Sequence, residues 1–150
     1  MSDTITIPSD ALPFVRTGAH DLIGDAAEAI STVNDAIDRE DHPERYQAPF
    51  AWLARIRGLL DAIGWRASET AEVKVSLADH GTALCEAVDN MLSISTNALQ
   101  EAKASEREKA ERRVRVLLDF GKDLDSAYIL RSRNDPRVRA LHKSAAELLS

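Results

Sequence analysis

His80 is the residue best placed to do chemistry. It follows Asp79, precedes Cys85 by five positions and lies on or beside a stripe of apolar residues at helical spacing. A buried histidine can act as a base, a ligand or a pH switch, and a cysteine near a histidine can be an activated thiol. Positions five apart on one helix point away from each other. The sequence therefore favours a histidine hydrogen-bonded at the core edge and a small buried cysteine, with His80 kept as a candidate ligand-binding or pH-sensing residue.

Other catalytic and metal-binding patterns are missing from the sequence. A di-iron carboxylate bundle needs a glutamate three residues before a histidine on two helices. Here the residues at those positions are Thr17, Arg39, Leu77 and Arg139. There is also no His-Glu-x-x-His, no cysteine pair, no glycine-rich phosphate loop and no Gly-x-Ser-x-Gly. We expect no enzyme activity, no catalytic residue, no metal ligand and no cofactor.

The aromatic residues Tyr46, Phe50, Trp52 and Trp65 cluster around one predicted helix. Trp52 does not follow the apolar spacing of that helix, which favours an exposed position or an interface. Tryptophan and tyrosine are enriched at binding hot spots. The sequence therefore predicts a candidate protein interface at Trp52 and Tyr46, with packing against a neighbouring helix of the same fold as the alternative.

A basic block near the C-terminus is a candidate anion patch. Residues 103–150 carry twelve bases and eight acids, whereas residues 1–43 carry two bases and nine acids. The patch comprises Arg112, Arg113, Arg115, Arg137 and Arg139. Clustered arginines can bind phosphate backbones. Acidic residues are interleaved with them and the chain carries a net charge of −6, so nucleic acid is not the expected partner.

Helical periodicity predicts the elements that position these residues. The first helix starts near Asp10, ends at His42-Pro43, and has an inward face comprising Ile23, Ala27, Ile30, Val33 and Ile37. The second runs over about 49–63, with an inward face comprising Phe50, Leu53, Ile56, Leu60 and Ile63. Gly64 fits a left-handed helix end of the Schellman type, which brings Trp65 onto Leu60. Whether the first helix is continuous through Gly18 is left open.

Three further helices follow in the second half of the chain. The third has a heptad seam comprising Leu77, Leu84, Met91 and Ala98, accompanied by His80, Ala87 and Ile94. The fourth has a seam comprising Ala110, Val114, Leu117, Gly121, Leu124 and Tyr128. A change of heptad phase predicts a break near residues 103–105, although one continuous helix remains the alternative. The last helix opens at Asn134-Asp135-Pro136 and turns Val138, Leu141, Ala145 and Leu148 inward.

Two short segments alternate polar and apolar residues instead. Residues 4–7 and 72–77 have the period-two pattern of half-buried strands, and each is followed by a helix start. Ser76 with Asp79 fits an N-cap. We expect the two segments to pair as a two-stranded ladder; the alternative makes residues 69–77 the first turns of the next helix.

Composition agrees with a helical fold. The 150 residues are 44% apolar and 29% charged, which suits one domain spanning 1–150. The fold class is predicted to be mainly α: an antiparallel bundle of four long helices and a short C-terminal one, with the possible β ladder. No apolar run reaches membrane-spanning length, the start is unlike a signal peptide, and Cys85 is alone. A cytoplasmic protein without membrane contact is expected.

Three short motifs carry a resemblance: Thr4-Ile5-Thr6-Ile7-Pro8, Pro43-Glu44-Arg45-Tyr46 and Asp61-Ala62-Ile63-Gly64-Trp65. With them the chain resembles a group of small, uncharacterised actinobacterial helical proteins over about two-thirds of its length. The resemblance implies a helical fold and no particular activity.

The functional hypotheses follow from these features. The preferred one is a non-enzymatic helical bundle that acts through protein–protein contact, as a homodimer or with another protein. The alternative is a small-ligand sensor with a pocket between helices near His80 and Met91. Nucleic-acid binding through the basic block is a weaker third.

Overall fold

The computed structural model describes residues 4–35, 43–65, 72–127 and 136–150, without the side chains of 33–35 and 43–46. The elements, in chain order, are β1 (Thr4–Ile7), α1 (Leu12–Asp35), α2 (Pro43–Ile63), β2 (Val73–Ser76), α3 (Leu77–Glu101), α4 (Arg107–Ala127) and α5 (Pro136–Leu149). The predicted fold class, a mainly α bundle of four long helices and a shorter C-terminal one with a β ladder, is confirmed. Among the described helices, none combines the length and apolar character needed to cross a membrane.

The predicted ladder is also confirmed. β1 and β2 pair antiparallel, with Ile5 opposite Val75 and Ile7 opposite Val73. These four apolar residues share one face, with Ile7 and Val75 buried and Ile5 and Val73 packed against the core. The alternative, a helix starting before Leu77, is wrong, since residues 73–76 form the strand. Because the strands are antiparallel, α1 follows the ladder at the Ile7–Val73 end and α3 at the Thr4–Ser76 end.

α3 begins directly after β2, at the predicted N-cap. The Oγ of Ser76 accepts a hydrogen bond from the backbone N–H of Asp79 at 3.3 Å.

We predict that Ser76→Ala lowers the free energy of unfolding by about 1 kcal/mol, because the Asp79 N–H loses its acceptor. The control is Ser93→Ala, at an exposed position inside α3, which we expect to raise it by a few tenths of a kcal/mol. Urea denaturation measures both, and equal effects would contradict the cap.

α3 is the central helix and contacts the other four. Leu77, Leu84 and Met91 are buried as predicted, and so is Ala87. Ile94, however, is 41% exposed and Ala98 is exposed, so the heptad prediction is wrong at its C-terminal end. A straight helix drifts by about 20° per heptad. The buried surface therefore moves on to a set that comprises Leu92, Ser95, Thr96 and Leu99.

α1 runs uninterrupted through Gly18, and the face it buries differs from the predicted one. Ala27 is exposed, whereas Ile23 and Ile30 are half-buried. The buried stripe comprises Leu12, Val15, Ala19, Leu22 and Ala26. Small residues lie inward here because α1 passes close to α3 at Gly18. Val33 lies outside the described side chains, and Ile37 and His42 outside the described residues.

α2 begins at Pro43, six residues before the predicted start, and contains Pro49. Ile56, Leu60 and Ile63 are buried as predicted, and Leu53 is half-buried. Phe50 is 43% exposed, so its predicted inward position is wrong. Phe50 precedes the exposed Arg57 by one heptad and therefore lies on the solvent side of the helix.

The end of α2 is held by groups from α1. Gly64 adopts φ +91°, and its N–H donates to the carbonyl of Leu60 at 2.8 Å, which is the simpler left-handed cap. The guanidinium of Arg16, 3% exposed, donates to the carbonyls of Gly64 at 2.9 Å and Ile63 at 3.2 Å. The ring of Trp65 packs edge-on against His20, 5.6 Å between centroids. The helix end is thus fixed by tertiary contacts that the sequence pattern does not reveal.

The break between α3 and α4 is confirmed, since a turn over residues 104–106 separates the two helices. The predicted α4 seam is confirmed at its buried positions, which are Val114, Leu117, Gly121 and Leu124; Tyr128 lies outside the described residues. α5 opens at Pro136 as predicted and buries Ala145. The Nε2 of His142 lies 3.3 Å from a carboxylate oxygen of Asp89, which links α5 to α3.

Candidate functional site

A groove opens between α2 and α3 around Trp52, one of the two predicted interface residues. This interface groove has a volume of about 610 Å³ and is lined by Ala48, Pro49, Ala51, Trp52, Arg55 and Glu86. The Trp52 side chain is half-buried and packs against the core. Its indole N–H is buried and has no hydrogen-bond partner among the described residues. The other predicted interface residue, Tyr46, lies on α2, but its side chain is outside the description.

The groove follows from the spacing of residues on α2. Positions 48, 51, 52 and 55 lie three or four apart and so share one face of the helix. Two of them are alanines, whose methyl groups leave room beside the Trp52 indole. From α3, the Oε1 of Glu86 accepts from a terminal nitrogen of Arg55 at 3.3 Å, with side-chain exposures of 30% and 47%. An ion pair this exposed contributes little to folding stability and leaves both charges accessible to a partner.

His80 lies in the first turn of α3 and is half-buried. Its ring faces α2: the Cε1 and Nδ1 atoms lie 3.8 and 4.0 Å from where a Cβ at Gly58 would be. Met91 is 5% exposed and lies three helical turns further along α3. Neither residue lines the interface groove. Cys85 is buried, in keeping with a structural role.

The structure does not gather the five arginines of the predicted anion patch around one cavity of the described residues. Arg112 and Arg115 are exposed and line a cavity together with Asp10, Asp119 and Asp123. Three carboxylates beside two guanidinium groups make that cavity a poor anion site.

The remaining three arginines lie elsewhere. Arg113 is turned to another side of α4, where its guanidinium carbon lies 5.4 Å from the ring centroid of Phe14. Arg137 and Arg139 are exposed on α5.

The sequence did not predict a further cavity, between α3 and α4. This interhelical cleft has a volume of about 290 Å³ and is lined by Ser95, Ala98, Ala102, Glu106, Lys109, Ala110 and Arg113. Ser95 is 1% exposed, and its Oγ is buried without a hydrogen-bond partner among the described residues, as is the Nε of Arg113. No sequence signal marked Ser95, because the predicted seam of α3 passes through Ile94 and Ala98 instead.

The interface groove and the interhelical cleft offer different binding chemistry. The groove presents mostly apolar side chains, and the cleft presents hydroxyl, ammonium, guanidinium and carboxylate groups. The described residues contain no group of three or more His, Cys, Asp or Glu side chains that could hold a metal ion. Comparisons of the chain with protein-family models, curated proteins and solved structures gave no match.

Proposed function

We propose that the protein acts through protein–protein contact, as a homodimer whose two copies pack against each other through the interface groove. The observation that carries the proposal is the open, mostly apolar groove around Trp52. Burying apolar surface drives association, and tryptophan is among the residues that most often dominate binding energy.

The charges at the groove favour a second copy as the partner. A two-fold dimer uses the same surface twice, so that surface must be complementary to itself. The groove carries one cation, Arg55, and one anion, Glu86. In a two-fold arrangement Arg55 of each copy meets Glu86 of the partner subunit, while the alanines and Trp52 pack around the axis. An interface of this kind has an apolar centre with charges at its rim.

The alternative predicted from the sequence, a ligand pocket near His80 and Met91, stays a prediction. Met91 is almost fully buried, and the His80 ring faces Gly58. The geometry therefore favours the groove as the site of function.

The test is charge complementation between two variants. We predict that Arg55→Glu and Glu86→Arg each weaken dimerisation about tenfold or more, because like charges then face each other twice across the axis. Mixing the two variants restores a dimer, since each copy supplies the charge that the other has lost. Sedimentation velocity on each variant and on the equimolar mixture measures this.

The matched control is Arg57→Glu, on the same helix but exposed and outside the groove lining. We expect it to leave dimerisation unchanged. The proposal fails if the mixture stays monomeric, or if both single variants dimerise as the unmodified protein does. A contact confined to one chain would be broken in each variant and would not be repaired by mixing.

A further inference from the structure

We propose that the interhelical cleft binds a small monocarboxylate, with its carboxylate on Ser95 and Arg113 and a short aliphatic part against the alanines. The cleft lies between α3 and α4 and shares no residue with the interface groove. This site therefore does not depend on dimerisation.

Two buried donors in the cleft lack an acceptor among the described residues. They are the hydroxyl of Ser95, which is 1% exposed, and the Nε–H of Arg113. Buried polar groups in proteins are nearly always hydrogen-bonded, so each such group calls for an explanation. A single carboxylate that enters the cleft supplies acceptor oxygens to both donors once the two side chains turn towards it, because as they stand the Ser95 Oγ and the Arg113 Nε have almost no accessible surface.

The position of Arg113 favours binding of a carboxylate. Its guanidinium packs over the ring of Phe14 from α1, 5.4 Å from the centroid, and this contact limits the directions in which it can point. The planar guanidinium fork matches a carboxylate better than an ammonium does. A preoriented arginine loses less entropy when the ligand binds.

Charge and size define the ligand class. Lys109 and Arg113 contribute two positive charges to the lining and Glu106 one negative charge, so one ligand charge of −1 balances the site. A phosphate dianion would leave the site with a net negative charge. The walls are methyl groups of three alanines, which are Ala98, Ala102 and Ala110. The volume of about 290 Å³ is at the lower end for small-molecule sites, which suits a short aliphatic acid such as butanoate.

Isothermal titration calorimetry of the full chain with butanoate tests the site. We expect saturable binding of butanoate, with butanamide and inorganic phosphate each at least about tenfold weaker, because the first lacks the charge and the second carries too much. No saturable butanoate binding, equal binding of butanamide, or tighter binding of phosphate would each overturn the proposal.

Two variants locate the binding. Ser95→Ala removes the buried hydroxyl while keeping a residue that favours helix, so the fold is retained and butanoate affinity falls about tenfold. Arg113→Gln, which removes the guanidinium, lowers the affinity for butanoate further. The control is Arg112→Gln on the same helix, because Arg112 lines the neighbouring cavities and not the cleft. The proposal is overturned if Ser95→Ala binds butanoate unchanged, or if Arg112→Gln loses as much affinity as Arg113→Gln.

Discussion

We expect that replacing Gly18 with alanine lowers the free energy of unfolding by about 2–4 kcal/mol. Gly18 lies where α1 crosses α3, and a Cβ at this position would overlap the carbonyl oxygen of Ala87. It would also lie 3.2 Å from the Ala87 carbonyl carbon and from the Cβ of Met91. Backbone atoms of a central helix cannot relieve the overlap by a change of rotamer, as a flexible side chain can. The two helices must therefore move apart or the added methyl group must stay strained.

A polar contact at the same crossing adds to the effect. The side-chain amide of Asn90 donates to a carboxylate oxygen of Asp21 at 2.8 Å and to the carbonyl of Gly18 at 3.4 Å. Separation of the helices weakens both bonds. Part of the expected loss of stability thus comes from these interactions in addition to the steric overlap.

The matched control for Gly18→Ala is Gly24→Ala. Gly24 lies on the same helix, and apart from its chain neighbours and the backbone of its own helix no described atom comes within 4 Å of where its Cβ would be. Alanine there raises the free energy of unfolding by about 0.5–1 kcal/mol, since it favours helix over glycine. Urea denaturation of both variants measures the difference. Effects of the same sign would contradict the close crossing of α1 and α3.

The second large effect is expected at Arg16. We predict that Arg16→Met lowers the free energy of unfolding by about 2–4 kcal/mol. The methionine preserves the aliphatic packing, but the carbonyls of Ile63 and Gly64 lose their charged donor. The positive charge also balances the negative end of the α2 dipole. Because the side chain is 3% exposed, water cannot readily replace it.

The control for Arg16→Met is Arg57→Met, an exposed arginine on α2. We expect a change within about 0.5 kcal/mol. Chemical denaturation followed by circular dichroism gives both values. If the two substitutions have equal effects, Arg16 does not hold the end of α2 as the structure indicates.

Local rules were enough to predict much of the fold. The pattern of each strand, the Ser76 cap, the Gly64 helix end and the Pro136 helix start each depend on residues within about five positions of one another. The pairing of the two strands is different, because it joins residues as far apart in sequence as Thr4 and Ser76. The local features follow from backbone geometry, which neighbouring residues largely determine. This explains why the element order is confirmed while several predicted faces are not.

The helix faces whose burial was predicted incorrectly have a common cause, which is helix packing. Ile94, Phe50 and Ala27 were assigned inward from regular spacing, but which side of a helix is buried depends on where its neighbours cross. Arg16 shows the same limit, because its partners lie 47 and 48 residues away in sequence. Nothing in the local sequence marks that arginine as buried.

Of the candidate sites, one could be predicted from local sequence and the other could not. Trp52 could be singled out because it departs from the apolar spacing of α2, and the structure places it in a groove. The cleft could not be predicted, because Ser95 and Arg113 meet only when α3 and α4 pack together. Adjacent residues on a helix point about 100° apart, which is why Arg113 is separated from Arg112.

Sedimentation equilibrium over a range of concentrations measures whether two copies of the chain associate, as we propose for the interface groove. We predict a mass of twice the 16.5 kDa chain mass that falls towards the monomer on dilution. We also predict that Arg55→Glu shifts this transition to higher concentration. A mass of one chain up to roughly millimolar concentration, at which even a weak specific dimer forms, would contradict dimerisation through the groove.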